Sequence, residues 1–239
     1  GARLELKENN IPKCFIEING KSLLSYQLDT LNGIGLKEVI IVTGHSYRTF
    51  DRLLGSKYKN IKINYVMNNF YATSGSAFSI YVAKDLWENY KKPIVLLHGD
   101  IFYDPSILVE TLQSNKRDLI ILDESYQVLT GDELVVIGKN DRVSSLSKNA
   151  ESCENVIGES LGINKWSVVF LDRYFNFLSS FLSKEGKHYN WELTIKPFLE
   201  QFPNMKLEYN GIRGKAWINI NYQEDYEYAE KELYHKIYS

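Results

Sequence analysis

Apolar positions along this chain switch repeatedly between two spacings. From Lys21 to Gly33 they fall at Leu23, Leu24, Leu28 and Leu31, the spacing of one helix face, and Gly33-Ile34-Gly35 stops the pattern. Glu38 to Gly44 is instead a continuous run, Val39-Ile40-Ile41-Val42, of the kind carried by a parallel strand covered on both faces. The alternation continues with a short helix at Tyr47–Leu54, a strand at Ile61–Met67, a helix at Ser76–Tyr90 and a strand at Pro93–Asp100. A helix at Pro105–Ser114 and a strand at Asp118–Asp123 follow. Three such helix-to-strand repeats predict an open, mostly parallel sheet flanked by helices, with ligands at the carboxyl ends of its strands.

From Glu133 the texture changes. Short β-like runs at Leu134–Ile137, Val143–Leu146 and Ser160–Phe170 predict an antiparallel extension. Helices over Leu171–Lys184 and Glu192–Gln201, a strand at Lys206–Tyr209 and a closing helix over Gln223–Lys236 complete the pattern. Between the last two, Lys215–Asn221 alternates as a strand does and places Trp217, Asn219 and Asn221 on one face. The fold class expected is α/β: a Rossmann-like mixed, mostly parallel sheet with a small antiparallel extension.

Composition narrows the classes of partner. The 239 residues with 44% hydrophobic content suit one α/β domain. Lys+Arg 28 against Asp+Glu 30 gives a net charge of −2, which argues against general attraction to nucleic acid or an anionic membrane. Any anion site must therefore be local. Cys14 and Cys153 fit neither a disulfide framework nor paired zinc ligands, so a reducing compartment is expected. With no apolar stretch near the roughly 18 residues of a membrane span and no signal-like segment, a cytoplasmic protein is expected.

Local anion chemistry is suggested at the start of the chain. Gly1-Ala2-Arg3-Leu4, then Pro12-Lys13 ahead of the apolar Cys14-Phe15-Ile16, could offer backbone N–H groups and two fixed positive charges to a polyphosphate. Basic residues near a turn are also ordinary solvated surface. A glycine-rich turn of this kind normally follows a strand, so a strand ahead of Gly1 is expected. Asp100 closes an apolar strand and suits a Mg²⁺ ligand, since Mg²⁺ takes one or two carboxylates and completes its shell with water and phosphate. A turn or capping role is the alternative for Asp100, although Asp104 is better placed to cap. The small residues Thr73-Ser74-Gly75-Ser76-Ala77 let backbone approach a base or phosphate, and N-capping by Ser74 or Ser76 accounts for the same pattern. Lys148, Glu159 and Glu192 are polar residues whose local sequence fits solvent exposure as well as a site. Tyr189, Trp191 and Trp217 could cage a cation or simply wall a pocket.

Taken in order, these segments resemble the nucleotidyltransferase superfamily that joins nucleoside triphosphates to phosphorylated sugars, alcohols and phosphonates. Its signature loop, roughly L-A-A-G-x-G-x-R-L and then P-K, is matched from its second glycine onward by Gly1-Ala2-Arg3-Leu4 and Pro12-Lys13. The resemblance thus places about a dozen residues, including the first strand, ahead of Gly1. Gly99-Asp100 matches the metal motif and Thr73–Ala77 the base-reading segment. The second half looks like the phosphocholine and phosphonate cytidylyltransferase branch through Asp132-Glu133-Leu134-Val135-Val136, Ser147-Lys148, Gly158–Ile163 and Trp217–Asp225. One departure stands out: the family's W-x-E-I-D is Trp217-Ile218-Asn219-Ile220-Asn221 here, with amides at both acidic positions.

The resemblance implies a single nucleotidyltransferase domain over 1–239, with 1–125 a nucleotide-binding half and 126–239 an acceptor-binding half with the closing helix. It implies Arg3 and Lys13 as catalytic cations and Gly1, Ala2, Ser74, Gly75 and Ser76 as nucleotide-binding. Asp100 and Asn221 would hold Mg²⁺, and Lys148, Glu159, Glu192 and Trp217 would lie near the acceptor. The expected partners are a nucleoside triphosphate, CTP favoured, and a small phosphorylated or phosphonate acceptor, with no nucleic acid or membrane and a homodimer open as an assembly. The alternatives are a sugar-1-phosphate nucleotidylyltransferase using UTP, GTP or dTTP, and a non-catalytic nucleotide-binding homologue.

Overall fold

The computed structural model describes residues 11–44, 46–125, 133–148 and 154–238. Gly1, Ala2, Arg3, Asp132, Asn149 and Cys153, all named above, lie outside them. The described chain opens with a 3-10 turn, Lys13–Phe15, and a hairpin of β1 (Glu17–Ile18) and β2 (Lys21–Ser22). Ser22 caps α1 (Leu23–Gly33) by accepting from the Ser25 N–H. Then come β3 (Glu38–Thr43), α2 (Tyr47–Leu53), β4 (Lys57–Tyr58) and β5 (Ile61–Met67), with β3 parallel and β4 antiparallel to β5.

Helices α3 (Ser76–Val82) and α4 (Lys84–Glu88) replace the single helix expected over Ser76–Tyr90. The helical spacing of apolar residues survives the break at Ala83, because Phe78, Ile80 and Trp87 all enter the core. Next are β6 (Ile94–Leu97), β7 (Ile101–Tyr103), α5 (Pro105–Gln113) and β8 (Leu119–Asp123). Asp104 caps α5, accepting from the Ser106 N–H with Pro105 at the first helical position.

The second half holds β9 (Val135–Lys139), β10 (Arg142–Ser147) and β11 (Val156–Trp166), then α6 (Val168–Glu185), α7 (Trp191–Gln201), β12 (Glu208–Gly211) and β13 (Trp217–Asn219). The closing helix is interrupted: α8 (Gln223–Tyr228) and α9 (Tyr234–Tyr238) are joined by a π-helical turn at Ala229–Leu233. β11 pairs antiparallel with β8 along one edge, and with β9 and β6 in succession along the other. The mixed, helix-flanked sheet matches the pattern in the sequence, but its antiparallel share is larger than three repeats suggest. The parallel pairings among the described residues are β3 with β5 and β8 with β12.

The sheet lies between two apolar layers. Ile120, Leu122 and Trp166 face α3, α6 and α7, while Leu119, Ile121, Leu161 and Ile163 face α1 and α5. Strand alternation delivers each residue to its side. Trp166 is fully buried, with Phe170 at 5.1 Å and Tyr174 and Trp191 each at 5.4 Å between ring centroids. Large buried side chains of this kind contribute about 1.5–3 kcal/mol each. β3 and β6 bridge the same two layers: Ile40, Ile94 and Leu96 pack on one, Val39, Ile41, Val95 and Leu97 on the other. Among the described residues, each of these two strands has one unpaired edge.

The strand expected to run to Phe170 stops at Trp166 because Ser167 begins a helix. Its hydroxyl accepts from the Phe170 N–H, while Asp118 accepts from the Ser167 N–H at 2.6 Å and hydroxyl at 3.1 Å. Ser167→Ala is expected to cost about 1 kcal/mol, the usual value of an N-cap. Urea unfolding checks this, and an unchanged midpoint would mean that α6 does not depend on its cap.

Candidate active site

Because β11 is antiparallel to both β6 and β8, those two strands run in the same direction and end at the same edge. Gly99-Asp100 follows β6 and Asp123 ends β8, so two carboxylates reach that edge. The short pairing of β7 with β13 brings in the chain's last strand, Ile101 opposite Asn219. It continues with the Ile220 N–H donating to the Asp100 carbonyl at 2.9 Å. Asn221 therefore arrives beside Asp100. The Lys13 ammonium reaches both from the opening 3-10 turn: it donates to Asn221 Oδ1 at 2.9 Å and the Ile220 carbonyl at 3.2 Å, with Asp100 Oδ2 at 3.9 Å. Residues more than 200 positions apart meet at one point.

This oxygen-rich corner can be tested against Mg²⁺. Asp100 keeps about a third of its side chain exposed, 32%, and its carboxylate makes no hydrogen bond of its own among those described. Asn221 contributes a neutral oxygen that is already engaged by Lys13. One hard carboxylate, with phosphate and water completing the shell, fits the ion. Among the described residues, no three His, Cys, Asp or Glu side chains converge on a metal cage.

A second cluster stands at the same edge. The Trp217 indole donates to Asp123 Oδ2 at 2.9 Å, and Asp123 Oδ1 accepts from the Ser125 N–H and hydroxyl. Glu159 is the cross-strand partner of Asp123. Burial first, then the charges of Glu133 and Asp123, push its carboxyl up to about 7. Glu159 and Trp217 are thus joined through Asp123, a residue noted in the sequence only as a strand end. It carries the signal that picked out Asp100: a carboxylate closing an apolar strand. Lys148, by contrast, is exposed one residue beyond β10.

The third group surrounds the start of α3. Ser76 accepts from the Trp191 N–H at 3.0 Å and donates to Glu192 Oε2 at 3.4 Å. Glu192 is only 8% exposed, not the solvated residue its local sequence fits. The N–H groups of Gly75, Ser76 and Ala77 already donate to Lys187 O, Asn190 Oδ1 and Tyr189 O. A Cβ on Gly75 would stand 2.2 Å from Tyr189 O, so glycine is what lets these two loops touch. The Ser74 hydroxyl accepts from Asn68 Nδ2 at 2.9 Å. His98 links this group to Asp100: its Nε2 accepts from the Trp191 indole at 3.2 Å and lies 3.6 Å from Glu192 Oε1. A nitrogen that accepts from the indole cannot also donate to Glu192, and the shorter, directional indole bond is the one we assign, which puts the proton on Nδ1.

A family model described as Domain of unknown function (DUF6564) matches residues 10–233. The chain belongs to that family. The DUF6564 chain is also similar to characterised proteins. It is 27% identical over 131 residues to the CMP-5'-(3-aminopropyl)phosphonate synthase of Streptomyces rubellomurinus, covering 55% of this chain and 20% of that protein. Against the D-glycero-alpha-D-manno-heptose 1-phosphate guanylyltransferase of Aneurinibacillus thermoaerophilus it is 27% identical, covering 99% of this chain and 96% of the relative. The solved inositol-1-phosphate CTP transferase from T. maritima shares its fold with a TM-score of 0.68 at 18% identity, covering 97% of this chain and 89% of that one. Relatives and structural neighbours of the DUF6564 chain are nucleotidyltransferases, cytidylyltransferases and sugar-phosphate enzymes among them. No described helix is long and apolar enough to cross a membrane.

Glu159 sets a pH dependence. Its carboxyl titrates near 7 in the folded chain and at the ordinary carboxylate value of 4.5 when unfolded, so between these pH values the folded state binds the extra proton. Stability should therefore fall as pH rises through 5 to 7 and level off above. Glu159→Gln is expected to remove that part of the slope and raise the melting temperature at pH 8. Melting curves across this range check it; identical slopes in both proteins would refute the assignment.

Proposed function

We propose that this chain transfers a nucleotidyl group, CMP from CTP, to a small phosphorylated alcohol or a phosphonate, with release of pyrophosphate. The observation that carries the reading is the meeting of Lys13, Asp100 and Asn221 at the carboxyl end of β6. An acceptor phosphate or phosphonate oxygen attacks the α-phosphorus, the bond from that phosphorus to the bridging oxygen breaks, and pyrophosphate leaves. No protein nucleophile is needed. Lys13, with Arg3, neutralises charge that grows on the α-phosphate and the leaving group, a preorganised electrostatic contribution. Gly1, Ala2, Ser74, Gly75 and Ser76 are the nucleotide-binding residues of this reading; the Gly75 and Ser76 N–H groups are engaged with the Lys187–Asn190 loop, so that segment would serve as a close-fitting wall and not as a set of free donors. Asp100, with the Asn221 amide oxygen at its side, is the residue that would hold Mg²⁺, whose chemistry when bound is neutralisation of phosphoryl oxygens. The acceptor lies toward Glu159, Trp217, Glu192 and Lys148. The cytidylyltransferases among the relatives support CTP.

A second reading, sugar-1-phosphate nucleotidylyl transfer, has the near full-length alignment with the guanylyltransferase in its favour. Pyrophosphate release with Mg²⁺, each of the four nucleotides, and phosphocholine, 2-aminoethylphosphonate or sugar 1-phosphates separates the two. CTP with one phosphorylated alcohol or phosphonate is the expected signal; GTP or UTP with a sugar phosphate would establish the second reading. Lys13→Ala and Asp100→Ala should each lower kcat by on the order of 100-fold, as loss of one charge-stabilising group does. Full activity in Asp100→Ala would remove the metal assignment.

A further inference from the structure

The two side chains facing Lys13 are chemically unequal. Asp100 lies at 3.9 Å, the distance of a charge interaction, whereas Asn221 Oδ1 accepts a hydrogen bond at 2.9 Å. Behind Asn221 stands Asp225, whose Oδ2 accepts from the N–H groups of both Asn221, at 2.8 Å, and Tyr222, at 2.7 Å. That carboxylate ties the segment after β13 to the first turn of α8. The Ile220 N–H, bonded to the Asp100 carbonyl, ties the same segment to the end of β6. A continuous path therefore runs from Asp225 through the backbone at Asn221 to the amide oxygen, and from there to the lysine ammonium.

We propose that Asn221 and Asp225 are positioning residues for Lys13, and that Asn221 acts through its hydrogen bond to the ammonium instead of as a second metal ligand. The proposal rests on the nucleotidyl-transfer reading. Lysine is a point charge on a flexible four-carbon stem, whose rotamer entropy must be overcome before the charge has a fixed place. The Asn221 and Ile220 oxygens supply two acceptors for its three N–H donors and leave the third directed elsewhere. An amide oxygen orients the ammonium without adding a second negative charge to that of Asp100, so more of the positive charge remains available to a polyphosphate. A carboxylate at the same distance would hold the lysine equally well and cancel much of that charge. On this argument asparagine is the residue the site requires.

The test uses the intact protein and its Asn221→Ala, Asn221→Asp, Asp225→Ala and Asp225→Asn variants. Mn²⁺ binding by electron paramagnetic resonance and Lys13 side-chain order by NMR on ¹⁵N-lysine protein are read without turnover; nucleotide affinity, kcat and KM are read separately. A hydrogen bond to a charged group is worth about 1.5–3 kcal/mol, so Asn221→Ala should lower kcat roughly 10- to 100-fold. It should free the Lys13 signal and leave Mn²⁺ affinity within about twofold. Asp225→Ala should act in the same direction, and Asp225→Asn, which keeps an acceptor oxygen, should restore Lys13 order. Asn221→Asp should keep Lys13 ordered but weaken nucleotide binding. A tenfold or greater loss of Mn²⁺ affinity in Asn221→Ala would make Asn221 a metal ligand and overturn the proposal, as would an unchanged Lys13 signal. Should the unaltered protein release no pyrophosphate with any acceptor, the functional reading fails, while the lysine and Mn²⁺ measurements still decide this one.

Discussion

The antiparallel seating of β11 between β6 and β8 is the constraint on which the rest of the molecule depends. A strand antiparallel to two neighbours forces those neighbours into a common direction, and their carboxyl ends then fall at one edge. The edge collects Asp100 from one and Asp123 from the other, and Glu159 stands opposite Asp123 on β11 itself. β11 also carries Leu161 and Ile163 into one apolar layer and Trp166 into the other. One eleven-residue element thereby binds both halves of the core and sets the spacing of the site's carboxylates.

Polar groups near that edge are mostly engaged with one another, and the engagement is tertiary. Ser76, Asn190, Trp191 and Glu192 join the start of α3 to the start of α7, and His98 couples both to the end of β6. The closing stretch from β13 to α8 is fastened at Asp100 and Asp225. Distant parts of the chain are thus held by directional bonds where they converge, while the apolar layers supply most of the stabilisation.

Much of this was legible in the sequence because a sheet covered on both faces writes continuous apolar runs, and Ile94–Leu97 and Leu119–Leu122 are such runs. Strand-end carboxylates were legible for the same reason. Periodicity could not see the break at Ala83, where apolar spacing runs on across the turn that separates α3 from α4, nor the π-helical turn at Ala229–Leu233, which shifts the register of the last helix. It also could not see that Glu192 is buried, with a hydrogen-bond partner, Ser76, more than a hundred residues earlier. Lys13 is the plainest case: a basic residue near a turn in sequence, and in the fold the cation that meets Asp100 and Asn221.

Cys14, the residue next to Lys13, has a thiol that burial above all, with the Asp100 charge adding to it, pushes up to about 12. At neutral pH only about one molecule in 10⁵ then carries a thiolate, the form that reacts with electrophiles. Its Cβ lies 3.4 Å from where a side chain on Gly99 would begin, so the Cys14 side chain starts against the same turn that carries Asp100. Alkylation at this position is expected to be slow, so the thiol beside the lysine of the site stays chemically quiet where ordinary exposed thiols react.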